Sequence, residues 1–289
     1  MTPLSIPGFA QRRVRVDDGV SLHAAVGGSG APVVLLHGFP QTHLMWRHVA
    51  ADLATDHTVI CPDLRGYGAS DKPVETGPEV YSKRTMARDV VRLAAELGHE
   101  RFVLAGHDRG ALVAFRAALD HPRAVARVAV LDVLPTLDMW DALHGVSAAV
   151  GFHLYLMAQP PGLPERLIEG APDAFLDVWA NDPGAVPSAV RRHYLDACAA
   201  AVPSIVADYR ASAGVDIDHD SADRAADNRL AMPVTVLQQD WGAALGFRAE
   251  KLWSAWAPDL RHRTVDCGHF MAEEDPELIS AEIRALGER

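Results

Sequence analysis

The pentapeptide Gly106-His107-Asp108-Arg109-Gly110 constrains this chain more than any other stretch. It joins the apolar run Phe102–Ala105 to Ala111–Leu119, whose apolar residues recur at helical spacing. A chain passing directly from a buried strand into a helix must turn sharply. Glycines at both ends allow that strained turn and let strand and helix pack closely. The turn lifts the middle side chain to the top of a sheet, in front of backbone amides. Its spacing is that of G-x-S-x-G, with Asp where serine would stand. A glycine-bracketed loop with a capping Asp would look the same locally, so the rest of the chain has to decide.

A length of 289 residues allows one large α/β domain with an insertion, or two small domains. Arg13–Asp17 and Leu22–Val26 flank the turn signal Asp18-Gly19 and read as an edge hairpin. Val33–Leu36, Val59–Cys61, Phe102–Ala105 and Val128–Leu131 are short apolar runs, as expected of strands buried on both faces. Met86–Leu97 supplies a further helix. From about Pro135 to Arg229 the pattern is helical, interrupted at Pro160-Pro161 and Pro183–Pro187. Val234–Leu237 and Arg263–Asp266 then read as strands, and Pro276–Leu286 as a last helix. The simplest account is a mostly parallel sheet flanked by helices, with a helical cap inserted after the sixth strand. Residues 1–136 and 230–289 would form the core, and 137–229 the cap.

Three further features fit that frame, which is the α/β-hydrolase pattern. His37-Gly38-Phe39-Pro40 follows the third strand, where this fold completes its oxyanion hole. The amides of Phe39 and Arg109 would converge on one oxygen there. Gly268-His269-Phe270 follows the last strand, and Asp132 ends the sixth. The order nucleophile, acid, histidine is the one the fold requires. Asp240, at the end of the next strand, is the rival acid.

A carboxylate with a pKa near 4 is ionised at neutral pH, so it needs no base to attack. Against an acyl carbonyl it would form an anhydride. Against a saturated carbon bearing a leaving group, it forms an alkyl ester. His269, oriented by Asp132, would then activate water toward that ester.

The segments LLHGFPQTHLMW, PDLRGYGASDKP, LAGHDRGALVAFRAALDHP, VLDVLPT, LMAQP, DYRA and CGHFMAEEDP resemble the haloacid dehalogenases of the fluoroacetate dehalogenase family. More distantly they are similar to the α/β-hydrolase epoxide hydrolases. The resemblance runs from about Gly28 to Pro276. The elbow and the HGFP turn specify only the superfamily, whereas GHDRG with DYRA is more specific. It implies that a His, a Trp and a Tyr bind the departing halide, while two arginines hold the substrate carboxylate. The matching positions here are His153, Leu154 and Tyr209, and Arg109 with Leu112. One halide donor and one arginine are therefore absent, and Arg109, where epoxide hydrolases usually carry an apolar or aromatic residue, either favours an anionic substrate or simply pairs with a cap carboxylate. A missing charge-assisted hydrogen bond forfeits roughly 1.5–3 kcal/mol, which points to a leaving group easier than fluoride. His153 and Tyr209 also match the two ring-opening donors of epoxide hydrolases.

The formal net charge of −11 opposes a nucleic-acid partner. No apolar run approaches the roughly 20 residues that span a bilayer, and MTPLSIPGFAQRRVRV lacks a signal peptide's apolar core. Cys61, Cys198 and Cys267 lie far apart, which fits a reducing, cytoplasmic setting. Asp216-Ile217-Asp218-His219-Asp220 reads as a solvated acidic loop rather than a metal cluster, and His43, Arg47 and His48 as one polar helix face. The six tryptophans, Trp46, Trp140, Trp179, Trp241, Trp253 and Trp256, read as core or pocket wall. The expectation is thus a haloacid dehalogenase acting through an aspartyl ester, with epoxide hydrolysis as the alternative. A non-catalytic, ligand-binding relative is the third reading, opposed by the joint presence of nucleophile, base and acid. No cofactor or metal is implied; the expected partner is a small-molecule substrate, with a homodimer admissible.

Overall fold

Four runs of β-branched and leucine residues become the centre of an eight-stranded sheet. The computed structural model describes residues 4–176, 184–241 and 245–289. The strands are β1 Ala10–Asp17, β2 Val20–Gly28, β3 Ala31–Leu36, β4 His57–Pro62, β5 Phe102–His107, β6 Val125–Leu131, β7 Val234–Gln238 and β8 Leu260–Thr264. Their spatial order is β1-β2-β4-β3-β5-β6-β7-β8. The β1–β2 and β2–β4 pairs are antiparallel, and all the others are parallel. Alternate side chains serve opposite faces. Val34, Leu36 and Leu104 join one core, whereas Val33, Leu35 and Ala105 join the other.

Helices α1 (Arg47–Leu53), α2 (Lys83–Glu96) and α3 (Arg109–Asp120) follow β3, β4 and β5. Ser82 caps α2 by accepting from the Thr85 amide at 3.2 Å. Between β6 and β7 the described chain is helical: α4 Thr136–Ala142, α5 Phe152–Met157, α6 Leu163–Gly170, α7 Pro172–Leu176, α8 Ser188–Ala199, α9 Val202–Ser212 and α10 Val215–Ala225. After β7 come α11 (Ala249–Ser254), α12 (Met271–Glu274) and α13 (Pro276–Gly287). Among the described residues, no helix is long and apolar enough to cross a membrane.

Three expectations need correction. The last strand is Leu260–Thr264, three residues before the expected start, because an edge strand has one partner and an exposed face. No apolar run marks where it begins. Asp216–Asp220 is a turn of α10, not a solvated loop, and Asp216 and Asp220 are buried. Their i, i+4 spacing puts both on the inward side, where Lys83 and Arg116 meet them. His43, Arg47 and His48 do not share one polar face. His43 is buried and hydrogen-bonded to Asp63 at 2.8 Å, Arg47 pairs with Glu273, and His48 is exposed. Trp46, Trp253 and Trp256 are core, Trp241 lines the cavity described below, and Trp179 falls outside the described residues.

Candidate active site

The elbow is as tight as its glycines allow. Asp108 has φ +48°, a backbone conformation most side chains avoid. A Cβ on Gly106 would lie 2.4 Å from the Gly110 carbonyl oxygen, and one on Gly110 would lie 2.4 Å from that of His37. Those approaches press α3 onto β5 and β3, and they present the Asp108 carboxylate at the carboxyl ends of the parallel strands. This is where open α/β sheets collect ligands.

Asp108 Oδ1 accepts a hydrogen bond from the Phe39 amide at 2.8 Å. Arg109 opens α3, where amides have no partner within the helix. Opposite stands His269, whose Nδ1 donates to Asp132 Oδ2 at 2.6 Å. Of the two candidate acids, Asp132 is hydrogen-bonded to this ring. Asp132 is held in turn by Gln239, whose amide reaches Oδ1 at 3.0 Å and whose Nε2 reaches Oδ2 at 2.6 Å. Nothing in the sequence singled out Gln239; its position directly after β7, level with the end of β6, is the available clue.

These contacts set the charges. Burial opposes ionisation of Asp108, but His269, His107, Arg109 and the Phe39 amide outweigh it and hold the carboxyl below its ordinary range. Burial likewise disfavours charged His269, yet the hydrogen bond and charge of Asp132, with the charge of Asp108, raise it above 6.5. His153 moves the other way: burial lowers it to about 4 and Arg109 adds to the shift, against the pull of Asp108. It is a neutral ring at physiological pH.

Asp108, Asp132 and His269 share a cavity of about 320 Å³ with Arg109, His153 and Tyr209. Leu112, Val133, Met139, Leu143 and Leu154 form much of its wall. Tyr209 is buried, its hydroxyl has no hydrogen-bond partner among the described residues, and its ring packs against Phe39 and His153 at 5.6 and 5.7 Å. Burial and the nearby Asp108 push its phenol well above 10, so it remains a proton donor. Arg109 stacks its guanidinium 4.0 Å from the centre of the Tyr209 ring. Its Nε donates to Asp208 Oδ2 at 2.8 Å, and its Nη2 to the Asp208 carbonyl and to Ser212 Oγ at 3.1 and 2.7 Å. Among the described residues, Nη1 has no partner.

A second polar cluster lies elsewhere. His23, His43 and Asp63 bring one ligand atom each within 4.8 Å. Asp63 is already fully engaged, taking both imidazoles and the amides of His43 and Ala69 at 2.8–3.1 Å. That arrangement fastens β2 and β4 to the turn before α1.

An eight-stranded sheet with this elbow and a histidine after the last strand defines an α/β hydrolase. A family model described as alpha/beta hydrolase fold matches residues 31–150. Fluoroacetate dehalogenase from Burkholderia sp. is 37% identical over 281 residues, covering 93% of this chain and 91% of the relative. Soluble epoxide hydrolase from Corynebacterium sp. is 33% identical over 273 residues, covering 91% and 92%. A Pseudomonas aeruginosa structure provisionally described as an epoxide hydrolase superposes with a TM-score of 0.91 at 40% identity, over 98% of this chain and 97% of that one. The chain belongs to the α/β-hydrolase family that includes fluoroacetate dehalogenase and epoxide hydrolases, and its relatives are hydrolases.

Proposed function

We propose that the protein hydrolyses the carbon–halogen bond of a halo-acid through an alkyl ester on Asp108. The observation that carries this reading is a polar set on residues that line one apolar cavity: the Asp108 carboxylate, with the Tyr209 hydroxyl and Arg109 Nη1, both buried and without a hydrogen-bond partner among the described residues. A buried guanidinium N–H without a partner is costly, and a substrate carboxylate would satisfy it.

The steps follow from the hydrogen bonds. Asp108 Oδ2 attacks the carbon and the halide leaves, its growing charge met by the Tyr209 hydroxyl and by neutral His153. Asp108 Oδ1 becomes the ester carbonyl oxygen, and it already accepts from the Phe39 amide at 2.8 Å. His269 Nε2 takes a proton from water, which adds to the ester carbon. Phe39 and Arg109 amides hold the oxyanion on Oδ1. Collapse breaks the bond to the alkoxide, which takes the proton back from His269 and leaves as the hydroxy acid, and the regenerated Asp108 carboxyl releases its proton to solvent. Esterification also removes the negative charge of Asp108 that helps His269 keep its proton, so the ring becomes a better base at the step that needs one.

This has a pH consequence. Ester hydrolysis requires neutral His269 and therefore fails as pH falls through its pKa. That limb should lie below the His269 pKa of the free enzyme, which itself lies above 6.5. Imidazole titration by NMR, set beside single-turnover ester hydrolysis against pH, tests the order of the two. Coincident limbs would remove the role given to Asp108.

The absent third donor has a consequence as well. Leu154, buried in the cavity wall, offers no N–H to the halide. Bromide and chloride should leave far faster than fluoride, which depends most on hydrogen bonds. Leu154→Trp, with Leu112→Arg, is expected to raise kcat on fluoroacetate more than on bromoacetate. A folding check accompanies the assay, since indole is much bulkier than isobutyl. Efficient defluorination by the parent would contradict this view of Leu154.

Epoxide hydrolysis is the second reading, favoured by the size and apolar wall of the cavity, which exceed what a two-carbon acid needs. Tyr209 and His153 would then donate to the ring oxygen. Halide release from chloro- and bromoacetate, set against diol formation from styrene oxide, separates the two. Diol without halide would replace the first reading by the second.

A further inference from the structure

Behind Arg109 lies a group of charges that the reaction itself does not use. Asp208 is completely buried and immediately precedes Tyr209 on α9. Three parts of the core converge on its carboxylate. Tyr67, from the loop after β4, donates its hydroxyl to Oδ2 at 2.7 Å, and Arg109 Nε reaches the same oxygen at 2.8 Å. Lys83, at the start of α2, places its ammonium against Oδ1. Lys83 is itself buried; its Nζ lies 3.7 Å from Asp216 Oδ2, and its amide donates to Asp216 Oδ1 at 2.8 Å. Ser212 Oγ, which accepts from Arg109 Nη2, donates to Asp216 Oδ2 at 3.3 Å, closing the ring.

The charges in this group cancel. Two basic groups, Arg109 and Lys83, face two carboxyls, Asp208 and Asp216; burial and Arg109 lower the Lys83 pKa, against the pull of Asp208 and Asp216. A cap–core fastening alone could have used Arg109 and Asp208, a pair complete in itself. The second cation matters because Asp216 beside an Arg109–Asp208 pair would otherwise leave the group with a net negative charge, which repels an anion. With Lys83 present, part of the Asp208 charge is met from the far side. Arg109 is left fixed by three of its hydrogen bonds yet electrically available. Burial works against the Asp208 carboxylate, but Arg109 and Lys83 together hold it well below its ordinary range, in keeping with a shared anion.

We propose that Lys83, aided by Tyr67, is a positioning and specificity-determining residue: it holds and neutralises Asp208 so that Arg109 keeps an unspent N–H, at Nη1, for a substrate carboxylate. The inference rests on the halo-acid reading above. Lys83 touches no substrate, and it acts through Asp208 on Arg109 and on the neighbouring Tyr209. A structural fastening would affect every substrate alike. A device that tunes the potential at Arg109 affects anionic substrates selectively.

Chloroacetate and chloroacetamide share a leaving group and differ in one charge, so they separate these alternatives. Both are applied to His269→Asn protein, in which an ester on Asp108 accumulates, with peptide mapping by mass spectrometry to distinguish Asp108 from the cysteines. Rates of ester formation against concentration give a half-saturating concentration and a limiting rate. With Lys83→Met added, half-saturation for chloroacetate should rise by about tenfold, as removal of a nearby buried charge warrants. That for chloroacetamide should stay within twofold or so on the same basis. Lys83→Arg should restore most of the chloroacetate affinity, and Tyr67→Phe should shift it in the direction of Lys83→Met but less. Equal shifts for both probes, or none, overturn the proposal. Should Lys83→Met fail to fold, Tyr67→Phe decides alone, because it removes one hydroxyl and must still move the two probes apart. If the His269→Asn parent forms no ester with either compound, the halo-acid reading fails and takes this inference with it. An ester in the parent with unchanged chloroacetate affinity in the variants removes the inference alone.

Discussion

Asp108→Asn protein is expected to show no turnover, and His269→Asn protein to stop after one chemical step with the substrate's carbon skeleton on Asp108. The amide at position 108 can still accept from the Phe39 amide, so the elbow keeps its shape. It lacks the charge that makes the carboxylate a nucleophile, and the loss should be about 10⁴-fold or more. In the His269 variant displacement proceeds, because an ionised carboxylate needs no base. Water is then left without one, and the ester persists as a mass increment on the peptide carrying Asp108. A single turnover of the parent in ¹⁸O-water makes the same point from the other side. If water attacks the ester carbonyl carbon, as proposed, the label should enter Asp108 while the product's new oxygen comes from the protein. Label in the product, or a mass increment on a serine, would rule out the aspartyl ester.

For Arg109→Leu, the KM for chloroacetate should rise steeply while that for a neutral epoxide hardly moves. The substrate carboxylate loses a charge-assisted partner in a closed site, roughly 1.5–3 kcal/mol, or about 10- to 100-fold. The neutral substrate loses only packing. Stability should also fall, because deleting one member of a buried ion pair typically costs about 3–5 kcal/mol. Only part of that is expected, since Lys83 and Tyr67 remain on Asp208. Thermal unfolding and KM measured on the same preparation separate the two effects. An unchanged chloroacetate KM would remove the main reason for ranking dehalogenation above epoxide opening.

The parts of the site that could be read from the residues are those encoded within a few positions. Gly106 and Gly110 bracket Asp108 because the backbone there admits no side chain, and that requirement is local. The HGFP turn, the histidine after the last strand and the acid ending β6 likewise follow from where short apolar runs stop. Sheet order and registry then bring Asp108, Asp132 and His269 to the same edge. Two sites of error share one cause. The start of β8 and the burial of Asp216 and Asp220 depend on which neighbour covers an element, which no short window of sequence records.

By itself, then, the sequence determined the strand–turn–helix scaffold, the carboxylate at the elbow and the order of the groups around it. Only the tertiary structure decided how those groups are held. Gln239 on Asp132, and Lys83 and Tyr67 on Asp208, join residues 107, 125 and 141 positions apart. Such pairs form because the helical segment folds across the sheet and buries charges that must then find partners. A buried charge takes whichever opposite charge the fold delivers, and that choice is made in space.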